Sequence, residues 1–82
     1  MQNIQIFAVR LKALRKSKGK TQTEIATLLN ITSPHYQKIE YGKVNLPMLT
    51  LVMLADYFNV STDYLLGRTD ILGMNTLERR NE

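Results

Sequence analysis

The chain has 82 residues, a formal net charge of +4, 44% apolar residues and no cysteine. That length suits one small domain, which buries only roughly 60% of the surface its unfolded chain exposes. Without cysteine there is no disulfide and no thiolate metal site, and the single His cannot build a zinc centre alone. No cofactor or metal is therefore expected.

The apolar content is that of a globular chain. No apolar run approaches the roughly 18 residues of a membrane span. The opening MQNIQIFAVR lacks the charged start, apolar stretch and small-residue cleavage site of a signal peptide. The expectation is a cytoplasmic protein with no membrane partner. Charge is uneven: residues 1–43 carry eight Lys/Arg against two Glu, and residues 44–82 carry three against five Asp/Glu. Arg10, Lys12, Arg15, Lys16, Lys18 and Lys20 crowd into eleven positions. Such an imbalance points to a polyanion-facing side, or equally, taken alone, to a solvated helix face.

The first helix is expected over roughly Ile4 to Ser17, where Phe7, Leu11 and Leu14 recur at i, i+4 and i+7. Gly19 supplies a stop. Thr21-Gln22-Thr23-Glu24 matches a capping box, in which Thr21 accepts from the Glu24 backbone and Glu24 reaches back. Ile25, Ala26 and Leu29 then face inward, and Asn30 suits a left-handed helix end. After Ile31, Thr32 or Ser33 can cap a third helix with Pro34 in its first turn. Tyr36 and Ile39 face the core there, and Tyr41-Gly42 ends it.

Pro47 opens a longer helix to about Asn59. Its expected inward stripe is Met48, Leu51, Val52, Ala55 and Phe58. Ser61 caps a short last helix that Gly67 ends. The expected organisation is a domain over 1–67 and a tail over 68–82, in which Ile71, Leu72, Met74 and Leu77 can form a further amphipathic turn or two. No strand pattern, repeat or low-complexity segment is present.

Two short helices across a tight turn, residues 21–41, have the sequence form of a helix-turn-helix. The stretch TQTEIATLLNITSPHYQKIEYGK resembles the Cro/repressor (Xre, lambda-repressor-like) helix-turn-helix family of bacterial and phage regulators. Gln22, Glu24, Ile25, Ala26, Leu29, Ile31, Thr32, Ile39, Glu40 and Gly42 carry the likeness. It extends upstream through Leu11, Leu14, Arg15 and Gly19. Downstream it runs through Leu51, Ala55, Phe58, Val60-Ser61, Asp63 and Leu65-Leu66-Gly67. The resemblance implies a compact all-α, five-helix domain that binds double-stranded DNA sequence-specifically, usually as a two-fold dimer on an inverted repeat. Departures are Asn30 for the common Gly, Tyr36 at a core position usually aliphatic, Leu46 before Pro47, and Pro34 near the helix start.

The resemblance also implies residue roles. Ser33, Pro34, Gln37 and Lys38 match the outward positions of the recognition helix. There Gln37 suits adenine, Lys38 suits guanine O6 and N7, Pro34 offers apolar contact, and Ser33 can reach a base or a phosphate. Gln22 matches a phosphate-contacting position at a helix N-terminus. Thr21 is mainly a cap, and Lys43 and Asn45 are further phosphate candidates. Tyr41 reads evenly as a phosphate donor or a surface aromatic, and His35 as a surface residue or a phosphate contact. Arg15 and Glu40 match a family ion pair, so Arg15 is read as structural. Arg10 and Lys12 are read as solvated charge ahead of phosphate contacts.

The fourth helix is nearly apolar all round, and Leu49, Met53 and Tyr57 repeat on a second side. Either the tail or another subunit covers that stripe, and a homodimer is the reading taken. The leading function is a repressor on an inverted-repeat operator, with regulation from concentration, a partner protein or proteolysis. The alternative is a protein-interaction module, such as an antitoxin or an antagonist of another regulator. An enzyme is not expected: no nucleophile–base set and no Gly-rich phosphate loop is present.

Overall fold

Local chemistry sets most of the helix boundaries. The computed structural model describes residues 4–73, with side chains from Gln5 onward. It contains α1 (Ile4–Ser17), α2 (Gln22–Leu29), α3 (Ser33–Glu40), α4 (Met48–Phe58) and α5 (Thr62–Leu66), with no strand among the described residues.

Thr21 accepts from the Glu24 N–H, and the Glu24 carboxylate accepts from the Thr21 N–H at 2.8 Å, which completes the capping box of α2. The Thr21 backbone bond, ahead of all else, holds the Glu24 carboxyl below its ordinary value. Asn30 closes α2 at φ 61°, a left-handed conformation that Asn tolerates better than most residues. Thr32, not Ser33, caps α3 by accepting from the His35 N–H, and Pro34 sits where no intrahelical donor is needed. Pro47 is extended and precedes α4, which has no side-chain cap. Ser61 accepts from the Tyr64 N–H to start α5.

Leu11, Ile25, Tyr36, Ile39, Leu54 and Leu65 are the largest fully buried side chains. They come from all five helices, and α1 packs on both α3 and α5 while α2 packs on α3. In the loop after α3, Val44 and Leu46 pack against this core, while Lys43 and Asn45 between and before them are exposed.

Two sequence expectations are corrected by the packing. In α4, Met48 is 77% exposed and Val52 is exposed too, while Leu54, absent from the expected stripe, is fully buried. The inward set is Leu51, Leu54, Ala55 and Phe58, spaced i, i+3, i+4 and i+7. A helix apolar on every side offers more than one such stripe, and only the neighbours choose among them.

The second correction concerns Arg10, which is not a solvated charge. Its guanidinium donates to the Tyr64 carbonyl at 2.6 Å, to the Thr69 carbonyl at 2.7 Å and to Asp70 at 2.8 Å, and it lies over the Tyr64 ring. The Ser61 N–H donates to the Leu72 carbonyl at 2.9 Å. Residues 68–73 are thus strapped against α1 and the start of α5. Ile71 and Leu72 remain exposed in the strap; Met74 and Leu77 lie outside the described residues.

The strap leaves α5 through Gly67 at φ +81°, where an added Cβ would lie 2.9 Å from Cγ2 of Ile6. Ile6 is β-branched and cannot swing away freely. Gly67→Ala is expected to destabilise the domain by about 1–2 kcal/mol from the left-handed backbone alone, read as a lowered melting temperature. No helix among the described residues is long and apolar enough to cross a membrane.

Candidate nucleic-acid interface

Glu40, the last residue of α3, is 3% exposed and still ionised in a crowd of donors. Arg15 of α1 donates to it twice, Nε to Oε2 at 2.7 Å and Nη2 to Oε1 at 3.1 Å. The Tyr36 hydroxyl donates to Oε2 at 2.8 Å, and Gln22 Nε2 of α2 donates to Oε1 at 2.7 Å. Each carboxylate oxygen accepts two bonds, which uses its ordinary capacity. Arg15 Nη1 also donates to the Lys20 carbonyl at 2.8 Å. No buried side-chain polar atom among the described residues lacks a partner.

This clamp joins α1, α2 and α3, and so fixes how the second helix stands on the first. Burial pushes the Glu40 carboxyl up, but the bonds from Arg15, Gln22 and Tyr36 outweigh it and hold it below its ordinary value. The hydrogen bond to Glu40 raises Arg15 against the opposing effect of burial. Burial, then the bond to Glu40, raises Tyr36 well above the usual phenol range. The Tyr36 hydroxyl, at a position where an aliphatic residue is common in the family it resembles, therefore has its partner inside the clamp.

With Tyr36, Ile39 and Glu40 inward, α3 turns its other side outward. Pro34, His35 and Lys38 are exposed, and Ser33 and Gln37 are half-buried. Ser33, Pro34, Gln37 and Lys38 are thereby brought to one side of α3. Thr21 at the start of α2, and Tyr41, Lys43 and Asn45 after α3, are exposed at the ends of the same two-helix unit. Gln22 is half-buried, with its amide nitrogen on Glu40. Leu49, Met53 and Tyr57 lie apart on α4. Leu49 and Met53 are exposed, while Tyr57 is half-buried, edge-on to Phe58 and under the Lys18 ammonium.

A further polar contact has no local signal in the sequence. The hydroxyls of Thr23 in α2 and Ser33 in α3 are 3.0 Å apart. Thr23 lies inside the capping-box string, but only the fold brings it to a residue ten positions on.

A short helix capped and braced beneath a second, whose polar side faces out over a buried ion pair, defines a helix-turn-helix unit. The helix-turn-helix family model matches residues 11–65. The chain belongs to the Cro/repressor-type helix-turn-helix family.

Among similar proteins, the SPbeta prophage-derived uncharacterised HTH-type transcriptional regulator YonR of Bacillus subtilis is 44% identical over 64 residues, 78% of this chain and 59% of its own length. The HTH-type transcriptional regulator ImmR of B. subtilis is 37% identical over 73 residues, 89% of this chain and 58% of its own. The cryptic phage CTXphi transcriptional repressor RstR of Vibrio cholerae is 39% identical over 59 residues, 72% of this chain and 53% of its own. The chain thus spans between half and three-fifths of the length of these relatives. No solved structure matches it.

Proposed function

We propose that this chain is a sequence-specific double-stranded DNA-binding transcriptional regulator, a repressor that binds an inverted-repeat operator as a dimer. The observation that carries the reading is the outward side of α3, held by the Arg15–Glu40 clamp and presenting Ser33, Pro34, Gln37 and Lys38 together. A helix of this kind fits the major groove, where each base pair displays a distinct donor and acceptor pattern. Gln37 suits bidentate contact to adenine and Lys38 contact to guanine.

Thr21, Gln22, His35, Tyr41, Lys43 and Asn45 flank that side and suit phosphate contacts, which set register and affinity. Gln22 keeps one amide hydrogen beyond its bond to Glu40. Arg10 and Arg15 are spent on the fold, so the excess positive charge facing DNA comes from lysines such as Lys38 and Lys43. The regulator names of the relatives agree with this reading, and one of them is named a repressor.

For dimerisation, the support is the side of α4 on which Leu49 is 75% and Met53 45% exposed, with Met48 and Val52 beside them. Contiguous exposed apolar surface of this kind marks an interface.

Selection of binders from a random duplex pool tests the whole reading. An enriched inverted repeat with half-sites about 10 bp apart is expected. Replacing Lys38 or Gln37 should relax particular positions by roughly 1–3 kcal/mol each. A single enriched half-site would remove the dimer and keep the reader. Weak, salt-sensitive binding with no enrichment would leave only non-specific affinity, and would favour a protein partner on the α4 side.

A further inference from the structure

We propose that Thr23 of α2 is a positioning residue for base reading, acting through Ser33 of α3; this rests on the DNA-binding reading above. A serine hydroxyl alone reads bases poorly. It rotates freely and can donate or accept, so it suits either class of base edge. In this structure the Ser33 hydroxyl is not alone: Thr23 Oγ1 lies 3.0 Å from Ser33 Oγ.

The two oxygens differ in freedom. Thr23 is β-branched, so its χ1 is confined to two rotamers in a helix, fewer than Ser33 can adopt. It stands in the first turn of α2, whose start is locked by the Thr21–Glu24 capping box. Ser33 is the first residue of α3, anchored next to the Thr32 cap. A stiff hydroxyl on one capped helix therefore pins a mobile hydroxyl on the other.

At that distance one hydroxyl donates to the other: as donor Ser33 keeps only lone pairs for a base, as acceptor it keeps its proton and one lone pair, and in either case the bond limits the directions open to it. Hydrogen bonds in series also polarise one another, so a base contact at Ser33 gains from the bond behind it. Pinned in this way, Ser33 discriminates; released, it tolerates.

The partner is specific to the fold. Thr23 is exposed and makes no contribution to the core, so its hydroxyl can be removed without unfolding the domain. Thr23→Val keeps the shape and the β-branch while deleting the hydroxyl, and Thr23→Ser keeps the hydroxyl. Ser33→Ala removes the reader itself.

The experiment is selection from a random duplex pool with the full chain and with Thr23→Val, Thr23→Ser, Ser33→Ala and the Thr23→Val/Ser33→Ala double variant, each checked for an unchanged melting temperature. The position that loses its base preference in Ser33→Ala is the one Ser33 reads. Thr23→Val is expected to weaken preference at that position by roughly two- to tenfold, the scale of one neutral hydrogen bond. Preferences lost on replacing Gln37 or Lys38 should stay as in the parent. Thr23→Ser should retain part of the preference, since it keeps the hydroxyl without the β-branch that steadies it, and the double variant should match Ser33→Ala.

An unchanged preference in Thr23→Val overturns the proposal. So does a loss of affinity by one common factor for every base at that position, since Thr23 would then act on the DNA backbone or on the fold. If the parent chain itself selects no sequence, the DNA-reading function fails first, and that result is distinguishable from the other two.

Discussion

Glu40→Ala is expected to lower the unfolding free energy by about 3–5 kcal/mol, the cost of leaving one member of a buried ion pair without its partner. The loss is large because Glu40 serves three donors at once. Its removal leaves the Tyr36 hydroxyl without its partner in the core and strips the Arg15 guanidinium of two of its three bonds, while the half-buried Gln22 amide loses one. Domains of this kind are stable by only about 5–15 kcal/mol, so urea titration should find the midpoint of the variant strongly lowered.

Arg15→Met leaves the carboxylate buried and should be comparably damaging. The joint change Arg15→Met with Glu40→Leu removes both charges and should recover part of the loss, because an apolar pair needs no desolvation. If the single changes cost less than about 1 kcal/mol, the clamp does not hold α3 in place.

The same group sets a pH dependence. The Glu40 carboxyl lies below its ordinary value in the folded chain, so the unfolded chain binds the proton more readily. Stability from this site is complete above the unfolded value of 4.5 and is lost as pH falls through the lower folded value. Tyr36 acts in the opposite range. Its folded value is raised, so its contribution is present below 10.0 and declines as pH rises beyond it. In Glu40→Gln the acid limb from this group should disappear, which thermal melts across pH can check.

Leu54→Ala is the second large effect, expected at about 2–5 kcal/mol from lost burial and the cavity left behind. Leu54 is fully buried and packed in the main core. Met48→Ala, on the same helix, should stay within about 0.5 kcal/mol because its side chain is 77% exposed. The pair tests which side of α4 faces in. The stripe expected from sequence would rank Met48 among the core residues and overlook Leu54. If Met48→Ala is the damaging change at a concentration where the chain is monomeric, the packing described for α4 is wrong.

Much of the architecture was legible because its signals are local. Thr21 with Glu24, Thr32, Ser61 and the left-handed Asn30 act within four residues of themselves, and the starts of α2, α3 and α5 and the end of α2 follow from them. The side of α3 was legible as well, since Tyr36 and Ile39 are among its few apolar residues and leave only one way in. In α4 nearly every position is apolar, so periodicity has no contrast to read. The Arg10 contacts are hidden for another reason. Nothing near Arg10 in the chain foretells the Tyr64 and Thr69 carbonyls, more than fifty positions away.

The candidate interface divides along the same line. That Gln37 and Lys38 stand on the polar side of a short capped helix follows from the sequence, because caps and helical spacing are properties of consecutive residues. That Gln22 joins Arg15 on Glu40, that Thr23 meets Ser33, and that Leu54 turns inward while Leu49 and Met53 do not, were decided by tertiary structure alone. Those contacts join residues whose side chains meet only after separate helices have packed, and no local propensity encodes which distant group will supply the other half of a hydrogen bond.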